Sequence, residues 1–255
     1  MSEPIRHFGA HRDAPDPRDR AFSLPAHRLK DLPHSVDLRP HCPPAYDQRP
    51  LHSCTANAAA AAVQYERKRH GLAPDFTPSR LFIYYNERRL LGTAHQDAGA
   101  PLREAIKVLA KHGDCPEPHW PYEAAKVNVE PPHPCYRDAV RYRDMVYERV
   151  PQDLAHLKGC LAARQAFVLA FGVYESSETP EAAKACTMPI PKEGEKFLGN
   201  HAVMAVGYDD AHEHFILRNS WGPHWGREGH FFLPYRYLTD PKLAGDLWTL
   251  RLATG

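Results

Sequence analysis

The sequence lacks several features that would assign it to a large class of proteins. None of its apolar runs approaches the ~20 residues that a membrane-spanning helix needs. Its first residues contain no apolar core of about 7 to 15 residues, as a secretory signal peptide would. The net charge is +1, with acidic and basic residues interspersed, so no basic block favours nucleic acid. We therefore expect a cytoplasmic protein without membrane or nucleic-acid partners, while export by a signal-independent route stays open.

Motifs for metals and nucleotides are also missing. The sequence has no Cys-x-x-Cys or His-Glu-x-x-His zinc pattern and no phosphate-binding Gly-x-x-x-x-Gly-Lys-Ser/Thr loop. The alternation of His212 and His214 around Glu213 is a weak metal pattern, so we predict neither a cofactor nor a metal site. The cysteines have no regular spacing, and without a secretory signal free thiols are favoured over a disulfide framework. They are residues 42, 54, 115, 135, 160 and 186.

A helix-rich first half precedes a strand-rich second half. Apolar periodicity predicts helices at 79–91, 102–112 and 154–164. Short β-branched or aromatic runs bounded by Gly, Pro, Asp or Asn predict strands. These strands are 166–173, 202–208, 215–218, 231–235 and 247–252. Helices followed by strands indicate an α+β fold, with two lobes.

Residues 1–33 differ from the rest in being polar and rich in proline. Only Phe8, Phe22 and a few leucines can anchor this segment, which cannot build a core of its own. It is therefore either disordered or laid along the body. We interpret it as a short N-terminal leader before a domain at 34–255.

The best candidate for a nucleophile lies in residues 46–57. A proline-containing loop ends at Ser53 and Cys54, and the alanine run at 58–62 predicts a helix. Ser53 is the expected N-cap, and Gly71 the expected stop. Cys54 then lies in the first turn, where free N–H groups and the helix dipole favour a thiolate. Taken alone, the residue is more typical of a small buried cysteine than of a nucleophile.

A nucleophilic cysteine needs a base and a group that orients the base. His201 opens a predicted strand, where an imidazole can face a cleft. Asn219 begins the segment NSWGPHWGREG, whose Trp-Gly pairs indicate tight turns with packed indoles. Among 17 histidines, most are surface or core residues, and core packing is the alternative for Trp221 and Trp225.

Together these motifs resemble the papain-like cysteine peptidases. Asp-Gln before Ser-Cys, then Asn-His-Ala-Val with Val-Gly-Tyr, then Asn-Ser-Trp-Gly-x-x-Trp-Gly occur in that family's order, over about residues 36–250. The resemblance implies a two-lobed papain-like fold. A helical left lobe is expected at about 45–145, and an antiparallel β-barrel-like right lobe at about 146–255, with chain crossovers and the active-site cleft between the lobes.

The resemblance also implies a cysteine peptidase that hydrolyses peptide bonds through an acyl-enzyme. Cys54 would be the nucleophile, His201 the general base and then acid, and Asn219 the group that orients the histidine. The side-chain amide of Gln48 and the Cys54 N–H would form the oxyanion hole. The thiol and imidazole would rest as an ion pair, with the thiol pKa several units below its free value of ~8.5.

Further residues are expected by resemblance to bind a peptide substrate. The backbone of Gly99 and Ala100 would pair with an extended substrate. Leu102, Ala202 and Ala170 would line an apolar pocket for the second residue before the cut. The complete set of expected substrate-binding residues is Gly99, Ala100, Leu102, Asn200, Ala202 and Trp221.

Beside the nucleophile the sequence departs from the family pattern. The usual Cys-Gly-Ser-Cys-Trp reads LHSCT at residues 51–55, and Asp97 stands where the disulfide partner of the first cysteine would be. Both cysteines of that disulfide are therefore missing together. We expect His52 to point to solvent.

The leader is short for the inhibitory propeptides of this family. Our hypothesis is that residues 1–33 lie along the cleft in extended form and inhibit the enzyme. Two other functions remain open at this point. One is a Cys-His acyltransferase or deamidase, and the other is a non-catalytic peptide-binding module on the same fold.

Overall fold

The structure of the protein, a computed structural model, describes residues 7–143 and 145–253. Its α-helices are α1 (Ala26–Lys30), α2 (Cys54–Arg69), α3 (Arg80–Leu90), α4 (Leu102–His112), α5 (His133–Ala139), α6 (Leu154–Ala162), α7 (Pro180–Ala185) and α8 (Tyr235–Thr239). Its strands are β1 (Ala10–His11), β2 (Ser35–Asp37), β3 (Ala100–Pro101), β4 (Met145–Arg149), β5 (Phe167–Tyr174), β6 (Phe197–Asp209), β7 (His214–Arg218), β8 (His230–Pro234) and β9 (Ala244–Leu252). Within these ranges, no helix has both the length and the apolar character needed to cross a bilayer.

Helix α2 lies at the centre of the molecule. The alanines at 58–62 are all buried, and α2 packs against β6, α3 and α4. Because alanine side chains are small, the helix backbone can approach its neighbours closely. Gly71 follows the last turn with φ of 63°, and its N–H donates to the Lys68 carbonyl, so the predicted helix stop is confirmed.

One mixed sheet runs through the strand half. Its strands follow the order β3-β1-β6-β5-β9-β4, with β2 and β7 also paired to β6 and β8 paired to β7. Helices and sheet together confirm the predicted α+β fold. The sheet is open, however, so the barrel-like closure expected for the right lobe is wrong. The pattern of short apolar strands does not specify whether the two sheet edges meet.

The side chains that fill the space around the sheet are large and apolar. Phe167, Phe171, Phe215 and Trp248 are each fully buried. Aromatic residues of this size dominate the apolar area that a core removes from water. They give β6, which carries His201, a rigid backing.

The N-terminal segment lies along the body. Strand β1 pairs in parallel with β3 and antiparallel with β6, so it fills the gap between them. Further on, Ala21 bridges Arg149, and Phe22 is only 4% exposed. Of the two arrangements that the sequence allowed, the described part of the leader adopts the second.

Candidate active site

Cys54 is the first residue of α2 and is fully buried. Ser53 occupies the N-cap position as predicted, although its side chain makes no capping hydrogen bond. Its Oγ lies 2.6 Å from the Tyr122 hydroxyl, and its carbonyl accepts a 2.9 Å bond from Asn57 Nδ2. The serine therefore ties the start of the helix to a neighbouring loop.

His201 and Asn219 are brought together by the pairing of β6 with β7. Asn219 directly follows β7, and its Oδ1 lies 2.7 Å from His201 Nε2, which donates to it. The same oxygen accepts the Ser220 N–H at 2.8 Å. The indole of Trp221 stacks on the imidazole, with centroids 4.8 Å apart and planes 25° apart. The hydrogen bond and the stacked indole both restrict the orientation of the histidine ring.

Gln48 joins the loop before α2 to the strand half. Its backbone N–H donates to the Ser220 carbonyl at 2.8 Å, and its Oε1 accepts from the Ser220 hydroxyl at 2.6 Å. Its Nε2 donates to the carbonyls of Leu51 at 2.9 Å and His7 at 3.2 Å. The amide is therefore fixed from both sides, with its donor directed at a residue of the N-terminal segment.

Residues 7–10, which we call the blocking segment, lie over this site. The Ala100 N–H donates to the Gly9 carbonyl at 2.9 Å, and Ala10 pairs with both Ala100 and Asn200. The ring of Phe8 lies 6.0 Å from that of His201. The blocking segment thus bridges the two sides of the cleft as an added strand.

Only glycine fits where the blocking segment comes nearest to the body. A Cβ added at Gly9 would lie 1.9 Å from the His52 carbonyl oxygen. A Cβ added at Gly99 would lie 2.1 Å from the Gly9 carbonyl oxygen. Because these neighbours are backbone atoms, they cannot rotate away. The fit therefore depends on two missing side chains.

Burial of the Cys54 thiol acts against the ionised state that we expected. Burial raises its pKa to about 11, while the backbone N–H groups of Ala202 and Gly9 act in the opposite direction. The prediction of a lowered pKa is wrong for this covered state, because it considered the helix terminus and not the burial. The two N–H groups also locate the sulfur between β6 and the blocking segment.

His52 does not point to solvent as expected. Its backbone N–H lies 3.1 Å from Asp97 Oδ1, and its Nδ1 lies 3.1 Å from Oδ2. On its other side, His52 Nε2 lies 3.3 Å from Nδ1 of His7. Burial lowers the pKa of His7, as does the charge of His52, whereas Asp97 raises it. A chain of titratable groups thus connects the blocking segment to the body.

Most of the expected substrate-binding residues lie in the part of the cleft that the blocking segment covers. Ala100 and Asn200 pair with Ala10, and Ala202 faces the thiol through its N–H. Leu102, at the start of α4, is fully buried, and Ala170 pairs with Ala202 across β5 and β6.

Sequence reasoning missed a buried carboxyl group behind the nucleophile. Thr55 Oγ1 donates to Glu87 Oε1 at 2.8 Å, and burial raises the pKa of Glu87 well above its usual range. The signal available was a polar threonine where the family carries tryptophan. It did not identify which residue of α3 would face it.

One group of side chains has the composition of a metal site. The ligand atoms of Asp209, His212 and His214 lie within 4.8 Å of one another at the β6–β7 turn. The 2.7 Å contact between His212 Nδ1 and Asp209 Oδ2 accounts for the cluster without an ion. It lies about 26 Å along β6 from His201, at ~3.3 Å per residue, so it takes no part in this site.

Known proteins of one family are similar to this chain. The model of the papain family of cysteine proteases matches residues 32–237. An uncharacterized peptidase C1-like protein of Acanthamoeba polyphaga mimivirus is 36% identical over 273 residues, covering 98% of this chain and 88% of that protein. Cathepsin B-like CP2 of Giardia intestinalis is 27% identical over 217 residues, covering 79% and 68%.

Solved structures agree as well. The crystal structure of xylellain, a cysteine protease from Xylella fastidiosa, matches with a TM-score of 0.93 and 40% identity, over 100% of both chains. Procathepsin B of Trypanosoma congolense matches in fold, with a TM-score of 0.69 and 16% identity over 96% and 86% of the chains. The chain belongs to the papain family of cysteine proteases. The predicted family and enzyme class are therefore confirmed.

Proposed function

We propose that this cysteine protease cleaves peptide bonds with Cys54, His201, Asn219 and Gln48 as its catalytic residues. Cys54 attacks the substrate carbonyl carbon while His201 accepts the thiol proton. His201 then returns that proton to the leaving amine, and water hydrolyses the resulting thioester. The 2.7 Å bond from His201 to Asn219 supports the orienting role of the asparagine.

In this proposal, the side-chain amide of Gln48 donates a hydrogen bond to the negatively charged oxygen of the tetrahedral intermediate. Its Nε2 already donates to a backbone carbonyl of the blocking segment, at 3.2 Å. A substrate carbonyl in the same place would meet the same donor. Such preorganised donors stabilise charge that develops during the reaction.

The second part of the proposal is that residues 1–33 keep the enzyme inactive until they move. One observation carries it: Gly9 and Ala10 bridge the cleft by pairing with Ala100 and Asn200, directly over the thiol. A peptide substrate cannot occupy that groove at the same time. The same contact keeps the thiol buried and protonated, so both access and reactivity are reduced.

The experiment follows wild type, Cys54→Ala and Cys186→Ala over time. Intact mass reports self-processing, and an epoxide-type thiol probe with a fluorogenic peptide reports the active site. We expect probe adduct and turnover in wild type and Cys186→Ala, both increasing as the leader is cut or displaced, and neither in Cys54→Ala. Turnover that persists without Cys54 would overturn the catalytic assignment. Full activity from the first minute, with the leader intact and docked, would overturn the inhibition.

A further inference from the structure

Residues 13–22, which we call the anchoring segment, are held by buried charges as well as by the β-bridge between Ala21 and Arg149. The carboxylate of Asp13 is fully buried, and that of Asp19 is 14% exposed. Their partners are Arg103, Arg149 and the indole N–H of Trp248. A cluster of this kind is a built receptor for carboxylates.

The receptor supplies donors to both oxygens of Asp13. Its Oδ1 accepts the backbone N–H of Arg103 at 3.0 Å, in the first turn of α4, where N–H groups are free and the dipole favours anions. Its Oδ2 accepts from Trp248 Nε1 at 2.8 Å and from the Arg149 guanidinium at 3.3 Å. Charge-assisted bonds of this kind are about twice as strong as neutral ones.

Asp19 completes the arrangement. Its Oδ2 accepts from Arg103 at 2.5 Å and from Arg149 Nε at 3.1 Å. The guanidinium of Arg149 also lies over the Trp248 ring, 4.3 Å from its centroid. The two arginines are thus preorganised by the body and by the indole.

Release of the leader removes both carboxylates from this receptor. Asp246 stays behind, 3.9 Å from Arg149, but one carboxylate balances at most one of the two arginine charges. The Trp248 N–H and the first turn of α4 then lose their acceptor as well. The receptor then presents arginine side chains and free N–H groups to solvent, and a carboxylate ligand can restore the same charge-assisted bonds.

The receptor lies on the line of the cleft. Asp13 follows Gly9, which covers the thiol, by four residues, or about 13 Å of extended chain. The chain between them runs past Ala100, on the side where the resemblance expects residues that precede the cut. A substrate in the same groove would bring a side chain to the receptor at a comparable distance.

We infer that Arg103, Arg149 and Trp248 form a subsite that selects an acidic side chain several residues before the scissile bond. This inference rests on the proposed peptidase function and names its substrate class. The leader fills the subsite with its own aspartates while it covers the thiol.

The experiment uses the full-length chain carrying Asp13→Asn and Asp19→Asn, which removes the competing carboxylates. Fluorogenic peptides place Asp, or its neutral isostere Asn, at each of the third to sixth residues before the cut. We expect kcat/KM to favour Asp over Asn by about 10- to 100-fold at one of these positions. That ratio should fall toward unity on adding Arg149→Gln or Trp248→Phe, and should not change with Arg251→Gln. Each ratio is measured within one protein, so partial misfolding cancels.

Equilibrium binding of the same peptides, labelled with fluorescein, to the variant that also carries Cys54→Ala separates the two proposals. Tighter binding of the Asp peptide without turnover by the Cys54-containing enzyme would support the subsite while overturning the peptidase mechanism. Equal binding and equal kcat/KM for Asp and Asn, or a preference that survives Arg149→Gln, would overturn the subsite while leaving the mechanism intact.

Discussion

The two halves of the leader are attached in different ways. The blocking segment lies over Cys54 through backbone pairing and a glycine that admits no side chain, whereas the anchoring segment adds the buried carboxylates of Asp13 and Asp19 to its bridge at Ala21. Backbone pairing accepts almost any sequence, but the buried charges require their partners. The difference teaches that covering the thiol and retaining the leader are separable tasks. Substitutions can therefore affect one task without the other.

The largest effect on activity is expected at Gln48, which belongs to the proposed catalytic site and also contacts the blocking segment. Gln48→Ala removes the donor to the His7 carbonyl and, in the proposed mechanism, one oxyanion donor. We expect kcat/KM to fall by about 10² to 10³, because the lost donor acts most strongly in the transition state. Turnover of a fluorogenic peptide measures this, with Gln152→Ala as a matched control. A loss below about threefold would exclude the oxyanion role.

The next largest effect tests the anchoring segment alone. Asp13→Asn replaces a charged acceptor by a neutral amide, which costs about 1.5 to 3 kcal/mol of docking free energy, or about 10- to 100-fold. Alkylation of Cys54 by iodoacetamide, followed on its own peptide by mass spectrometry, should accelerate by that factor. Asp16→Asn is the control, since the Asp16 carboxylate bonds only to exposed Arg18 in the contacts described. Equal rates for the two variants would mean that the charges do not retain the leader.

A smaller effect tests the contact between the blocking segment and the body alone. Gly9→Val introduces atoms where a Cβ would meet the His52 carbonyl oxygen at 1.9 Å. Overpacking of this kind costs about 1 to 3 kcal/mol, so we expect Cys54 alkylation to rise about tenfold. The contacts of the anchoring segment should be unchanged in this variant, so the leader should remain bound to the body and resist limited proteolysis. An unchanged alkylation rate would show that the segment adapts.

The smallest effect concerns acidity. Burial and the charge of His52 lower the pKa of His7, and on release that pKa returns to ~6.5. The docked form therefore favours neutral His7, and docking weakens as pH falls below about 6.5. Asp97 contacts the His52 ring, Tyr84 donates to Asp97, and Gln48 donates to the His7 carbonyl. The ratio of Cys54 labelling in wild type to that in His7→Gln should rise a few-fold between about pH 7.5 and 5.5. A flat ratio would remove the histidine from the mechanism.

Much of the fold follows from local patterns. Helix α4 begins and ends where the apolar periodicity places it, and α3 differs from its prediction by one residue at each end. Strand β4 escaped prediction because its five residues are all half-buried, without the alternation that marks a one-sided strand. Likewise, β1 and β3 are defined by pairing with each other, which no local pattern of residues predicts.

The site was predictable to a different depth. Motifs identify Cys54, His201 and Asn219 because each lies within a distinctive local segment. The receptor for Asp13 was not predictable, because Arg103, Arg149 and Trp248 are ordinary residues in sequence and meet only through tertiary packing. The raised pKa of Cys54 was missed for the same reason, since the covering residues lie far from it along the chain.

The contact between His52 and Asp97 has a practical consequence. All six cysteines are free, and Asp97 stands where the resemblance to the family leads us to expect a half-cystine. Two neighbouring loops are thus joined by hydrogen bonds instead of a covalent staple. Dithiothreitol or glutathione, which a thiol enzyme needs to keep its sulfur reduced, would leave this junction untouched. The scaffold and its reactive sulfur can therefore share one reducing environment without conflict.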